Sequence, residues 1–154
     1  MQSQWRHRLV VLGLTLTMVG SAGPIPASHL SESPRKHRIV YQLDEAGVER
    51  ARFVLGNIRN HIIGVGGMQN IEALELVVFG PALKMFVADG MDPGLRQALE
   101  GLQAQGLTLG ACGNTMKNFA ITLAQLPKGA LALPQGGVVR LMELQERGYA
   151  YIRP

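Results

Sequence analysis

The sequence predicts an α/β protein, namely a three-layer α/β/α sandwich with about five mostly parallel strands. Two observations lead to this fold class. Strand-like and helix-like patterns alternate along the chain once the N-terminal region has passed. The strand-like runs are short and almost continuously apolar, which is typical of parallel strands that are covered by helices on both faces. A central sheet between two layers of helices is therefore expected.

The first half of the domain predicts two strands with a helix between them. Residues 39–43 are β-branched and aromatic, and they predict the first strand. Asp44 is then a candidate N-cap for a helix whose apolar positions recur at helical spacing up to Gly64. The run 74–79 predicts the second strand. The stretch 82–89 fits either a short helix or a loop packed over the sheet.

The second half of the domain predicts three more strands and the helices that join them. The predicted helices begin at the cap Asp92 with Pro93, at Asn114 or Thr115, and after the turn 134–137, and the first two reach Gly106 and Leu123. The predicted strands cover 107–111, 130–133 and 149–152. Every strand except the last is thus followed by a helical pattern, as a parallel sheet requires.

The N-terminal region has the order of a secretory signal peptide. Arg6 and Arg8 precede an uncharged run at 9–19, and small residues and prolines follow at 20–27. The apolar run is shorter than the roughly 20 residues that span a bilayer. These features favour export over a membrane anchor, and an uncleaved signal anchor is the alternative.

We predict a signal peptide over 1–27, a flexible leader over 28–37 and a single domain over 38–154. The mature chain is then periplasmic or secreted, with no stable membrane insertion after cleavage. The formal net charge is +4, and part of it belongs to the signal segment. The other basic residues are scattered apart from the short run 35–38, so we expect no nucleic-acid partner.

Cys112 is the only cysteine in the chain and our candidate catalytic residue. Exported proteins usually carry paired cysteines, so a single one indicates a reactive or intermolecularly paired thiol. The predicted third strand delivers Cys112 to the start of a helix, where free N–H groups and the helix dipole favour a thiolate. The alternative is that Cys112 is a small buried apolar residue.

The candidate binding residues lie at the same edge of the predicted sheet, beyond the carboxyl ends of the strands, where α/β proteins bind ligands. They are Gly113, Asn114, Thr115, Gly80, Pro81 and Lys84. Gly113 allows close approach of the backbone, and Asn114 with Thr115 would start the helix that stabilises an anion. The Lys84 ammonium would offset charge on a Cys112 thiolate, and a solvated surface lysine is the alternative.

Several other kinds of chemistry are disfavoured by the sequence. No second cysteine follows Cys112 at the Cys-x-x-Cys distance, which excludes dithiol exchange within one chain. A cysteine hydrolase needs a base, and His61 has no evident carboxylate to orient it. One cysteine and one isolated histidine do not form a metal site, and the glycines at 64–67 follow a helix instead of a strand. We therefore predict neither a metal nor a cofactor.

Three segments together resemble the DsrE/DsrF-like family. They are 80–84 (Gly-Pro-Ala-Leu-Lys), 112–116 (Cys-Gly-Asn-Thr-Met) and 137–152, and the resemblance runs from about 38 to 154. It implies a flavodoxin-like α/β/α fold and association into homotrimers or homohexamers. It also implies, from the sulfur-relay members, a cysteine that receives sulfane sulfur as a persulfide, and Cys112 is the matching position.

The sequence and the resemblance lead to a first functional hypothesis, a periplasmic sulfur carrier or sulfurtransferase-like protein that holds a persulfide on Cys112. Its partners would be sulfur donor and acceptor proteins or small sulfur compounds. The alternative is a non-catalytic oligomeric binding module for a small anion or a protein partner. Flavin or nucleotide binding is a third hypothesis, disfavoured because no phosphate-binding loop is present.

Overall fold

The computed structural model describes residues 36–154. The predicted signal peptide and all but the end of the predicted leader lie outside these residues. Within 36–154, no helix is both long and apolar enough to cross a membrane.

A five-stranded parallel sheet forms the centre of the described domain, with strand order β4-β3-β2-β1-β5. The strands are β1 (His37–Leu43), β2 (Ile71–Val78), β3 (Leu107–Cys112), β4 (Leu131–Leu133) and β5 (Ala150–Ile152). In the middle of the sheet Tyr41 pairs with Leu76, which in turn pairs with Leu109. The predicted fold class is confirmed, and each predicted strand is present.

Four α-helices and three short 3-10 helices connect the strands of the described domain. The α-helices are α1 (Val48–Gly64), α2 (Pro93–Gln105), α3 (Gly113–Asn118) and α4 (Gly137–Glu146), and the 3-10 helices are Met68–Asn70, Gly80–Phe86 and Leu123–Gln125. The stretch 82–89, for which the sequence allows either a short helix or a packed loop, lies partly in the 3-10 helix Gly80–Phe86. Its side chains Ala82, Leu83 and Phe86 are buried in the core.

Helices cover both faces of the sheet, but unequally. Leu55 of α1 and Leu99 of α2 belong to the larger core, together with Ile39 of β1. Leu141 of α4 belongs to a smaller cluster on the other face, together with Val40 of β1. The physical reason is the strand order: β1 to β4 step in one direction, whereas the connection through α4 returns to the opposite edge. Right-handed crossovers then place α4 on the opposite face from α1 and α2.

The predicted ends of α2 are confirmed. The Asp92 carboxylate accepts a hydrogen bond of 2.8 Å from the Leu95 N–H, and Pro93 occupies the first turn. Gly106 ends the helix in the left-handed region, with φ of 116°. The three signals lie within a few residues of the helix ends, which is why the sequence alone located them.

The predicted cap of α1 was wrong. Asp44 does not cap that helix, because the chain turns after β1 and α1 begins only at Val48, preceded by Gly47 with φ of 121°. The Asp44 carboxylate instead accepts a hydrogen bond of 3.2 Å from Arg153, next to β5. A charged partner supplied by the far end of the chain thus determines the position of this carboxylate.

The predicted third helix was too long and its cap was misplaced. Cys112 itself is the N-cap of α3, and the helix ends at Asn118. Ala120 then adopts φ of 51°, which brings the Ile121 N–H within 2.9 Å of the Met116 carbonyl oxygen. Because Ile121 is buried, the chain turns back into the core instead of continuing as a helix.

Candidate functional site

Cys112 lies at the point where the connections leave the sheet on opposite faces. It is the last residue of β3 and pairs with Leu133, the last residue of β4. The chain after β3 enters α3, whose Met116 packs against the larger core, whereas the chain after β4 enters α4 on the other face. Crevices of this kind, at the carboxyl ends of parallel strands, are where α/β proteins bind ligands.

Cys112 is buried, with 6% of the residue exposed. Burial raises the pKa of this thiol. Hydrogen bonds from the hydroxyl and N–H of Thr115 lower it, and so do those from the N–H groups of Gly137 and Asn114. The donors prevail, so the pKa of Cys112 lies below its ordinary value.

These donors come from the starts of two helices. Asn114 and Thr115 belong to α3, which directly follows Cys112, while Gly137 is the first residue of α4. The sulfur therefore sits where two segments direct unpaired N–H groups at the same point, an arrangement that stabilises an anion.

Thr115 joins the thiol to the predicted residues at the end of β2. Its side chain is buried, and its hydroxyl oxygen accepts a hydrogen bond of 2.9 Å from the Gly80 N–H. The same hydroxyl lowers the pKa of the Cys112 thiol, as a donor to the thiolate would. Because the Gly80 N–H occupies its acceptor side, the hydroxyl proton is free to point at Cys112.

Two glycines allow the backbone segments around the thiol to approach closely. A Cβ atom on Gly113 would lie 2.8 Å from the Leu133 carbonyl oxygen, so a larger residue would push the start of α3 away from the end of β4. Gly136 has φ of 101°, and a Cβ there would lie 2.8 Å from the Asn114 amide nitrogen and 4.0 Å from the Cys112 sulfur. The turn before α4 therefore forms part of the site.

The turn 134–137 was missed as a site element by the sequence reasoning. A signal was available, because this segment follows a predicted strand at the same edge of the sheet as Cys112. The same argument that selected Gly80 and Pro81 applies to it.

The other two predicted binding residues, Pro81 and Lys84, are not among the groups that lower the pKa of the Cys112 thiol. Pro81 is exposed at the start of the 3-10 helix Gly80–Phe86. The Lys84 ammonium lies 4.1 Å from the centre of the Phe119 ring, a cation–π distance. The structure thus places Lys84 on an aromatic ring at the surface, while Cys112 has its donors from Thr115 and the backbone.

His61 is engaged elsewhere in the fold. Its Nδ1 lies 2.7 Å from the hydroxyl oxygen of Tyr41, which is buried in the core. Burial raises the pKa of Tyr41. Among residues 36–154, no three His, Cys, Asp or Glu side chains are arranged to hold a metal ion.

An apolar groove of about 480 Å³ runs along α3 on the side of the sheet away from α4. Gly113, Met116, Lys117 and Pro134 contribute to its lining. A second groove of about 540 Å³ lies between α1 and α2, and all its lining residues belong to those two helices. The first groove touches the site through Gly113, while the second has no residue in common with it.

Solved structures with a similar fold are known. A protein of unknown function, MTH1491, from Methanobacterium thermoautotrophicum aligns with a TM-score of 0.67 and 24% identity over 77% of this chain and 100% of that chain. The ychN protein from E. coli aligns with a TM-score of 0.55 and 22% identity over 78% of this chain and 99% of its own. These likenesses concern the fold. They confirm the α/β fold of this chain.

No protein-family model matches the chain, and no curated protein matches it.

The lowered thiol pKa predicts a pH dependence of stability. Between the folded and unfolded pKa values of Cys112 the unfolded chain binds more protons, so the free energy of unfolding rises with pH across this window. The contribution is complete above the unfolded value of about 8.5 and is lost as pH falls through the folded value. Urea unfolding of the wild type and Cys112→Ser should show a stability difference that grows with pH. A stability difference that stays constant or shrinks as pH rises would contradict the lowered pKa of Cys112.

Proposed function

We propose that this chain is an exported DsrE/DsrF-like protein that carries sulfane sulfur as a persulfide on Cys112. The observation that supports this most is the set of donors around the sulfur: the Thr115 hydroxyl and N–H, and the N–H groups of Asn114 and Gly137. A thiolate is the nucleophilic form of cysteine, and these donors favour it. Helix N-termini stabilise anions in general, so this end of the site also favours the ionised terminal sulfur that a persulfide would add beyond the Cys112 sulfur.

The proposed reaction exchanges one sulfur–sulfur bond for another. The Cys112 thiolate attacks the sulfane sulfur of a donor such as thiosulfate, a new S–S bond forms, and sulfite leaves with the electron pair of the bond that breaks. An acceptor thiolate then attacks the outer sulfur of the Cys112 persulfide and takes it, and the Cys112 thiolate is regenerated. No external oxidant or reductant is consumed, because both steps are displacements at sulfur.

The proposal places this reaction in the periplasm or outside the cell, in keeping with the signal peptide predicted over 1–27. Its donors and acceptors are then exported proteins or small sulfur compounds.

We also propose that the protein is a homo-oligomer, a trimer or hexamer as the family resemblance implies. Val138 is 66% exposed and Met142 is 50% exposed, one turn apart on the outer face of α4. An apolar helix face of this kind is typical of a surface that other subunits cover. α4 also begins beside Cys112, so assembly would determine how substrates reach the thiol.

Mass spectrometry of the intact protein tests the proposed function. After incubation with thiosulfate or polysulfide, the wild type should gain about 32 Da per sulfur atom, and cyanide should remove this mass. Cys112→Ser should gain nothing. Asn118→Ser, at the exposed end of α3, is the matched control and should accept sulfur as the wild type does.

A wild-type thiol that stays unmodified with every donor would contradict the carrier. The alternative, a binding module whose ligand site Cys112 merely lines, would then be favoured if Cys112→Ser retained the assembly of the wild type.

A further inference from the structure

A buried carboxylate lies in the middle of the sheet, beneath α4. Glu75 stands in the central strand β2 and is 5% exposed, on the same face as Val77 and Cys112. Interior positions of a covered parallel strand are normally apolar, because a charge taken out of water is costly unless it is paired. Glu75 is therefore an exception that needs a physical explanation.

Arg140 of α4 supplies the partner. Its Nε donates to Glu75 Oε1 at 2.9 Å, and its Nη2 donates to Glu75 Oε2 at 2.8 Å. This two-pronged contact fixes direction as well as distance. The neighbouring strand makes room for it, because a Cβ on Gly110 would lie 3.0 Å from Glu75 Oε1.

Arg140 of this ion pair lies one helical turn after Gly137, the first residue of α4. The Arg140 N–H bonds to the Gly136 carbonyl oxygen at 3.1 Å, and a Cβ on Gly136 would lie 4.0 Å from the Cys112 sulfur. The N–H of Gly137, the next residue, lowers the pKa of that thiol. No side chain caps the start of α4, whose N-cap is Gly136. The remaining charged contacts of α4 are looser, since Glu143 lies 3.9 Å from both Arg140 and Arg147.

We propose that the Glu75–Arg140 ion pair is a positioning device for Cys112, which holds the first turn of α4 against the sheet and keeps the Gly137 N–H on the sulfur. The pair does not touch the reacting atoms. This positioning role rests on the proposed function, in which Cys112 is the reactive thiol. The ion pair would nevertheless act on the free thiol, before any sulfur is bound.

The sign of a substitution effect separates positioning from plain electrostatics. Removing the negative charge of Glu75 leaves Arg140 unpaired, and a charge effect alone would lower the thiol pKa. Loss of positioning raises the thiol pKa instead, because a donor to the thiolate is lost. For Glu75→Gln the two explanations therefore predict opposite results.

The experiment is a pH titration of the thiolate by its ultraviolet absorbance, in which the only cysteine of the chain gives the signal. We expect the pKa of Cys112 to rise by about one pH unit in Glu75→Gln, the scale of one hydrogen bond to a charged group. Below that pKa the thiolate fraction then falls about tenfold. Arg140→Gln should raise the thiol pKa too, but loss of the positive charge acts in the same direction there, so Glu75→Gln is the deciding variant. Arg147→Gln, at the exposed residue that directly follows α4, is the control and should leave the pKa unchanged.

Arg140→Lys covers the case in which neither neutral variant folds. Lysine keeps a positive charge beside the buried Glu75 carboxylate, so we expect this variant to fold. It cannot make the planar two-point contact of the guanidinium, so it fixes the position of α4 less precisely. We expect a smaller rise of the thiol pKa in this variant. An unchanged or lowered pKa in the folded variants would overturn the positioning role.

The outcomes also separate this inference from the proposed function. If the wild type never accepts sulfur but the pKa rises in the variants, the sulfur carrier fails and the positioning role stands. If the wild type accepts sulfur and the pKa does not move, the positioning role alone fails.

Discussion

Replacing Thr115 with valine is expected to raise the pKa of the Cys112 thiol by about one to two pH units. Valine has nearly the shape of threonine but cannot donate to the sulfur, as the Thr115 hydroxyl does. A hydrogen bond to a charged group is worth about 1.5 to 3 kcal/mol, and one pH unit corresponds to about 1.4 kcal/mol. The same change leaves the Gly80 N–H without its acceptor, so stability should also fall by about 1 to 3 kcal/mol.

Thiolate absorbance across pH measures the first effect, and urea unfolding measures the second. Thr115→Ser is the matched control, because it keeps the hydroxyl and should retain most of the lowered thiol pKa. If valine and serine variants have the same thiol pKa, the hydroxyl is not the donor that matters, and the backbone N–H groups of Asn114 and Gly137 account for the effect.

Replacing Phe86 with alanine is expected to lower the free energy of unfolding by about 3 to 5 kcal/mol. The ring is fully buried, at the end of the 3-10 helix that begins with Gly80. Truncation removes its burial free energy and leaves a cavity that the neighbours fill only in part. Domains are typically stable by about 5 to 15 kcal/mol, so this single change removes a large share.

Phe53→Ala provides the comparison for this prediction. Phe53 is 54% exposed on α1, with the Arg50 guanidinium 5.6 Å from its ring centre. Its truncation should cost less than about 1 kcal/mol, the scale of an exposed cation–π contact. Equal losses in the two variants, measured by urea unfolding, would contradict the burial of Phe86.

Much of the fold follows from local patterns. The strands and most helix ends were predicted because their signals lie within a few residues of each other, as with Asp92, Pro93 and Gly106 at α2. The predictions failed where a distant residue intervened. The sequence predicts Asp44 as the cap of α1, but Arg153, at the far end of the chain, binds its carboxylate.

The residues of the candidate site also fall into two groups, those that are close to Cys112 in sequence and those that only the tertiary structure brings to it. Gly113, Asn114 and Thr115 follow Cys112 directly, so any helix that starts there brings them to the sulfur. Gly137 was not predicted, because its approach depends on the return of the chain across the sheet through α4. Arg140 and Glu75 are 65 residues apart, and no local pattern relates them.

The sequence by itself determined the class of fold, the order of its elements and the placement of the single thiol at the carboxyl end of β3. These depend on periodicity and on chain direction, which are properties of neighbouring residues. Only the tertiary structure decided which donors surround that thiol. The reason is that the crossover from β4 to β5 places α4 opposite α1 and α2, where its first N–H meets the sulfur and Arg140 meets Glu75.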